Sequence, residues 1–300
     1  MYNPYAGGLR GRGARLVGRV LAALHHGGHR AAAFPTDGPG SAGGIAQARI
    51  HAGADLILAL GGDGTLNEIL PGVVHSGVPV GIVPAGTANV LARELGLGTG
   101  TLRVARRLSE LEPRRIALGL LRAEPGQNER YFALMTGVGF DAHIVYRLNL
   151  GLKSKMGEVA YFLAAARQFG RTLEQFEVEV DGTRRRCSFA LATRVRNYAG
   201  HLEIAQKASL VKDDFEVVLF EGNSTWRHYL KYMTAILTGR TSSIQGISFA
   251  RAQKLTLSAA DDPRVYVQVD GEYAGRLPAT IEIVPGALSL LMPPVYPRLR

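Results

Sequence analysis

The residues Gly61-Gly62-Asp63-Gly64-Thr65-Leu66-Asn67-Glu68 follow directly on the apolar run 55–60, and their types suit the gripping of phosphate. Glycines at 61, 62 and 64 allow positive φ and let phosphate oxygens approach main-chain N–H groups closely. Thr65 is expected to begin a helix running through Leu70. The free amides and positive dipole end of that helix would face the same point. Asp63 adds a carboxylate where a magnesium–nucleotide would sit. Pro84-Ala85-Gly86-Thr87-Ala88-Asn89 follows the strand Pro79–Val83 and precedes a helix. It is a second phosphate-type turn, on the edge of an open α/β sheet where ligands bind. Neither segment is a G-x-x-x-x-G-K-[ST] loop or a G-x-G-x-x-G fingerprint.

Three further segments carry chemistry less directly. Asn3-Pro4-Tyr5-Ala6-Gly7-Gly8, taken alone, is a turn at the end of a first strand. In Val269-Asp270-Gly271-Glu272 an Asp-Gly hairpin accounts for Asp270 and Gly271 but leaves Glu272 over. Lys212-Asp213-Asp214 precedes the strand Phe215–Phe220, as solvated loop or as oxygen ligands for a hard cation. The eight histidines are scattered without H-E-x-x-H, and no G-x-S-x-G turn occurs, which removes the α/β-hydrolase reading.

These turns need a sheet to carry them. Leu16, Val17, Val20, Leu21 and Leu24 recur at helical spacing within 10–27. Expected next are a short strand at Ala31–Phe34, a weak helix near Ala42–Ala52, and strands at Asp55–Leu60 and Pro79–Val83. Helices near Ala88–Leu95 and Leu102–Leu111 complete a βαβ alternation, hence a parallel sheet covered on both faces. After Arg114 the pattern turns to strands: Arg115–Arg122, Arg130–Thr136 around a turn at Pro125–Asn128, and a Phe176–Val180/Cys187–Thr193 hairpin across Asp181-Gly182-Thr183. Phe215–Phe220, Lys254–Ser258, Val265–Val269 and Thr280–Val284 continue it, with helices near Glu158–Phe169 and, capped by Ser224, at Thr225–Leu237. The fold class expected is an N-terminal doubly wound α/β nucleotide-binding domain plus a C-terminal antiparallel β-sandwich.

With 300 residues the chain is long enough for two domains, and 46% hydrophobic with 20% charged residues is a globular balance. No apolar run approaches the roughly 18 residues that cross a bilayer. The first residues already read as motif, so no secretory leader is expected. A single cysteine, Cys187, excludes a disulfide framework and a multi-cysteine zinc site, and points to a reducing cytoplasm. The net charge of +10 has no nucleic-acid module or stacking platform beside it, so nucleic acid is not an expected partner. An anionic membrane surface and an ordinary solvated basic surface both fit that charge.

Taken in order, Asn3-Pro-x-x-Gly7, Gly61-Gly-Asp-Gly-Thr-x-Asn-Glu68, Pro84-x-Gly-Thr-x-Asn89 and Asp270-Gly-Glu272 resemble the diacylglycerol kinase catalytic family, across nearly the whole chain. The resemblance implies an ATP-binding α/β domain over 1–114, a β-sandwich lipid-substrate domain over 115–285, and a cleft between them. The last strand would return to the first domain through Ala287–Met292, within a segment 286–300. ATP would bind against Asn3, Pro4, Gly7, Thr36, Gly61, Gly62, Asp63, Gly64, Thr65, Asn67, Glu68, Gly86, Thr87 and Asn89. Asp63 would act on the phosphates with Mg²⁺, and Glu272 would take the proton of the lipid hydroxyl. Asp214, with carbonyl oxygens near Val211 and Glu216, would hold a structural magnesium.

The implied function is transfer of the γ-phosphate of ATP to a lipid hydroxyl, most simply that of diacylglycerol. Sphingoid-base kinase, NAD kinase and an inactive lipid-binding protein are the alternatives. Implied partners are a lipid substrate, peripheral contact with the anionic inner membrane surface, and a homodimer. Three departures stand out. Asp213-Asp214-Phe215 replaces the family's Asp-Asp-Gly, Val90 stands where many diacylglycerol kinases have Asp, and the chain starts almost at the Asn-Pro turn.

Overall fold

The computed structural model describes residues 1–5, 9, 11, 13–123, 129–139, 174–198, 202–221, 245–259 and 265–296. The chain divides into two compact units, Met1–Ala117 with Pro285–Arg300, and Leu118–Val284.

The first unit contains α1 (Gly13–His26), α2 (Ser41–His51), β1 (Ile57–Gly61), α3 (Asp63–Val73), β2 (Val80–Pro84), α4 (Val90–Glu94) and α5 (Thr101–Arg106). Strands β1 and β2 pair in parallel from Ile57↔Val80 to Gly61↔Pro84, and Leu290 of the returning segment pairs in parallel with Val80. Both strands are almost wholly apolar because helices cover the sheet. Val17, Val20 and Leu24 of α1 and Ala105 of α5 pack with Leu60, Val83 and Leu291. Helices α2 and α3 pack against each other so closely that a Cβ on Gly72 would lie 2.0 Å from the Gly43 carbonyl oxygen. Tyr296 donates to the buried Glu94 carboxylate at 2.9 Å, fastening the C-terminal segment to α4.

The second unit takes in the second half of β3 (Glu112–Ala123), then β4 (Arg130–Phe132), β5 (Met135–Gly139), β6 (Phe176–Val180), β7 (Thr183–Thr193), β8 (Asn197–Tyr198), β9 (Leu202–Glu203), β10 (Phe215–Glu221), β11 (Ile247–Ala252), β12 (Lys254–Ser258), β13 (Tyr266–Val269) and β14 (Glu272–Arg276). The long β15 (Ala279–Met292) begins here and ends in the first unit. Strand β7 organises the sandwich. Its first half pairs with β6, and its second half is flanked by β5 and β10, all antiparallel. From β6 the sheet continues to β12 and the start of β15; from β5 it continues to β13 and β14. Phe132, Phe176, Val178, Phe215, Val217, Leu255, Val267 and Ile281 form the core. The Phe132 and Phe215 rings stack at 5.7 Å. Cys187 lies in the same core, and burial, with the Glu221 charge next, pushes its thiol up to about 12.

An α/β unit followed by an antiparallel β-sandwich is the architecture the motifs predict. Both expected Asp-Gly hairpins form, with positive φ at Asp181 and Gly182 (49° and 76°) and at Asp270 and Gly271 (48° and 83°), the two-residue geometry that such pairs favour. Four expectations are corrected. Ala31–Phe34 is not a strand, since Tyr2 alone bridges to Pro35 and to Leu60, beside a cavity of about 690 Å³. Helix α3 starts at Asp63 rather than Thr65. The run Arg130–Thr136 breaks at Ala133-Leu134, whose amides turn to the Asp270 carboxylate. The two final strands are one, β15. The helices expected at Glu158–Phe169 and Thr225–Leu237 and the turn at Pro125–Asn128 lie outside the described residues.

Candidate active site

Strands β1 and β2 are neighbours in register, so the turns that leave their C-terminal ends must meet. The meeting point is Gly62 against Gly86. A Cβ on Gly86 would fall 2.5 Å from the Gly62 Cα, and one on Gly62 would fall 3.1 Å from the Gly86 Cα. Glycine is therefore required here for backbone contact. None of Gly61, Gly62, Gly64 and Gly86 has the positive φ that the sequence suggests. Gly61 carries the Thr65 side chain over it, with Thr65 Oγ1 2.2 Å from where a Cβ would stand. The Ala85 amide donates to the Gly61 carbonyl at 2.8 Å, extending the ladder to the turns themselves.

Asp63 locks the two turns together. Its Oδ2 accepts from the Val90 amide at 2.9 Å and its Oδ1 from the Leu91 amide at 3.0 Å. The carboxylate of one turn thus caps the helix that follows the other, pairing negative charge with first-turn amides. Burial lifts its pKa above the ordinary aspartate value, against the pull of those amides and of Arg93. Asn89 closes the second turn on itself, accepting from the Gly86 amide at 2.9 Å and donating to the Gly86 carbonyl at 2.8 Å. Its φ of 48° is one that asparagine tolerates. Arg93 Nε donates to the Ala88 carbonyl at 2.9 Å.

What is left open is the start of α3. The Thr65 and Leu66 amides donate back to the Gly62 carbonyl at 3.0 and 3.3 Å, so what the helix offers is the turn ahead of them, with eleven residues of aligned peptide dipole behind it. Thr65 and Asn67 are buried, Gly62, Gly64 and Glu68 partly so, and Thr87 is exposed. Asn3 accepts from the Tyr5 amide at 2.9 Å, holding the Asn3-Pro4 turn, and the Thr36 amide donates to the Tyr2 carbonyl at 2.9 Å. Gly7 lies outside the described residues. Asp63 fits a magnesium ion that takes its other ligands from phosphate and water, because each carboxylate oxygen keeps a lone pair beyond the one used.

In the second unit Asp270 is structural. It accepts from the amides of Ala133, Leu134 and Met135 at 3.1, 3.1 and 2.9 Å. The hairpin so anchored presents Glu272 at the first position of β14, half-exposed. Arg130 Nη2 lies 3.5 Å from Glu272 Oε2, and Arg130 Nη1 donates to the Tyr273 carbonyl at 2.8 Å. Sequence reasoning missed Arg130, since its partner is 142 residues away and the two meet only because the chain after β4 is tied to Asp270.

Of the residues expected to hold a structural magnesium, Asp214 and Glu216 are already engaged by protein partners. Both Asp214 oxygens accept from Arg251, Nε at 2.7 Å to Oδ2 and Nη2 to Oδ1. Glu216 lies on β10 between β7 and β11, opposite Thr193 and Arg251, so its carbonyl belongs to the sheet ladder. Its side chain accepts from the Lys207 amide at 2.7 Å, and burial raises its pKa. Among the described residues no three His, Cys, Asp or Glu side chains converge as metal ligands, and no helix is long and apolar enough to cross a membrane.

Two glycine turns at the carboxyl edge of a parallel sheet, followed by a β-sandwich, are the arrangement expected of the kinase class. Residues 1–121 match the family model of the diacylglycerol kinase catalytic domain, and residues 135–292 match that of the YegS C-terminal NAD kinase beta sandwich-like domain. The chain belongs to the diacylglycerol kinase catalytic family, a family of lipid kinases. It is 28% identical over 254 residues to a diacylglycerol kinase of Mycobacterium tuberculosis (strain ATCC 25618 / H37Rv), covering 83% of this chain and 80% of that one. To a diacylglycerol kinase of Bacillus subtilis (strain 168) it is 25% identical over 299 residues, covering 98% and 95%. A diacylglycerol kinase crystal structure from Bacillus anthracis str. Sterne shares the fold with a TM-score of 0.76 at 21% identity, over 98% of this chain and 96% of that one.

Proposed function

We propose that this protein transfers the terminal phosphate of ATP to the hydroxyl of diacylglycerol or a closely related lipid. The observation that carries the reading is the close approach of Gly62 and Gly86, which brings two turns and one helix start together where they would face an anion. Phosphoryl transfer asks little covalent chemistry of a protein, so positioning and charge neutralisation dominate.

The turn amides and the start of α3 would fix the β- and γ-phosphates, while Asp63 holds the two turns in one geometry. Magnesium, when bound through Asp63, would neutralise charge on the phosphates. Glu272 would accept the lipid hydroxyl's proton as that oxygen bonds to the γ-phosphorus and the bond to the bridging oxygen of ADP breaks. Arg130, with Nη2 3.5 Å from Glu272 Oε2 and Nη1 bonded to the Tyr273 carbonyl, would hold that carboxylate in place. A lipid acceptor implies work at a membrane surface, and the charge of +10 suits an anionic one.

Radiolabelled ATP supplied with detergent micelles of diacylglycerol, of sphingoid bases, or with NAD tests the reading. Label in the glycerolipid is expected. Label in NAD or a sphingoid base alone moves the acceptor to that class, and no transfer to any of them overturns the proposal.

A further inference from the structure

In the loop 207–214 two arginines serve three backbone carbonyls and the Asp214 carboxylate. Arg194, fully buried at the end of β7, donates through Nη2 to the Leu210 carbonyl at 2.6 Å and to the Lys212 carbonyl at 3.0 Å. Arg251, on β11, holds both oxygens of Asp214 and donates through Nη1 to the Lys207 carbonyl at 3.2 Å. We propose that these two guanidinium groups are the permanent cations of the loop, in the place where a divalent ion would otherwise be required, and that this unit folds without a metal there.

Three observations converge on this. The first is geometric. A guanidinium meets a carboxylate as a two-pronged fork, satisfying both oxygens at once, and an entering ion would have to displace that pair. Magnesium gives up its water reluctantly and gains little from a carboxylate whose charge a guanidinium already neutralises. The second is the sequence of the turn. Phe215 stands directly after Asp214, is fully buried and stacks on Phe132, so β10 begins without the freedom a glycine would give. That start sets Asp214 beside Arg251, whose own strand pairs Glu216 with Arg251 across the ladder. The third is the carbonyl set. Those on either side of Val211 already accept from Arg194, and that of Glu216 lies in the sheet. Of the oxygens a cation would need, the Asp214 carboxylate and the Leu210, Lys212 and Glu216 carbonyls are committed, which leaves that of Val211.

The inference is independent of the phosphotransfer reading and needs no nucleotide to test. Thermal unfolding of the full chain is followed in EDTA and in millimolar Mg²⁺ or Ca²⁺, for the wild type, Asp214→Asn and Arg251→Met. The wild-type midpoint should be the same with and without the ion. Arg251→Met should melt several degrees lower in EDTA and recover part of the loss on adding the ion, because Asp214 is then open to it. A wild-type midpoint that rises with the ion, with the rise abolished in Asp214→Asn, would overturn the proposal; a rise that persists in Asp214→Asn counts for it. If Arg251→Met does not fold, Mn²⁺ binding decides by stoichiometry. Equal Mn²⁺ on wild type and Asp214→Asn supports the proposal, and one ion fewer on Asp214→Asn overturns it.

Discussion

Asp63→Asn separates two roles that the Asp63 carboxylate could have. In the structure each of its oxygens accepts one backbone amide, from Val90 and Leu91. An asparagine keeps one acceptor and turns an NH₂ toward the other amide. Leaving a buried N–H without a partner costs about 1–3 kcal/mol. Relief of a charge whose pKa burial has raised works in the opposite direction. The net loss should therefore sit at the lower end, about 1 kcal/mol, or a midpoint roughly 4 °C lower for a unit of this size. The assay is thermal unfolding in EDTA without nucleotide, alongside ATP affinity in the same buffer and turnover with Mg²⁺. The variant should melt lower, bind ATP more weakly even without metal, and lose about a hundredfold or more in turnover. If Asp63 acted only as a metal ligand, melting and metal-free affinity would be unchanged or better. That result would refute the bridging role.

Glu272→Gln should bind ATP normally and melt as the wild type does, while turnover falls by about a hundredfold or more; near-normal turnover removes Glu272 from the proton-acceptor role. Cys187, held at about 12 inside the sandwich, should resist alkylation at pH 8 in the native protein and react fully in denaturant; rapid native labelling would contradict its placement. Glu216 has a raised pKa in the folded state, so it binds its proton more tightly there than when unfolded. Its contribution to stability is present below the ordinary glutamate value of about 4.3 and is lost as pH rises through the folded value. Glu216→Gln, which keeps an oxygen for the Lys207 amide, should therefore gain on the wild type as pH rises from 4 to 7; a constant difference across that range would contradict the shift.

The sequence displayed what local chemistry decides. Parallel strands show as unbroken apolar runs, so β1 and β2 were placed to within two residues. The Asp-Gly pairs at 181 and 270 name their own turns. What stayed hidden depends on register and packing. Strand β11 turns its small residues Ser248 and Ala250 one way and Phe249, 37% exposed, the other, so its alternation runs against the usual pattern. Ala31–Phe34 is three alanines and a phenylalanine, a composition poor in strand formers, and the Tyr2 amide bonds only its last carbonyl, that of Phe34. The partnerships of Arg130 with Glu272 and of Arg251 with Asp214 span 142 and 37 residues, and no local signal marks either. The glycines were found for one reason and serve another, since close approach of backbones, rather than positive φ, is what Gly62 and Gly86 provide.

The most direct test of the phosphate-binding reading is the affinity of Gly86→Ala for Mg·ATP, measured by calorimetry with the fold checked by circular dichroism. A Cβ at 86 would stand 2.5 Å from the Gly62 Cα, so the turns must part. We expect a folded protein whose affinity falls at least about tenfold, a loss of 1.4 kcal/mol. A folded Gly86→Ala that binds as tightly as the wild type would contradict the claim that the two turns act together on the nucleotide.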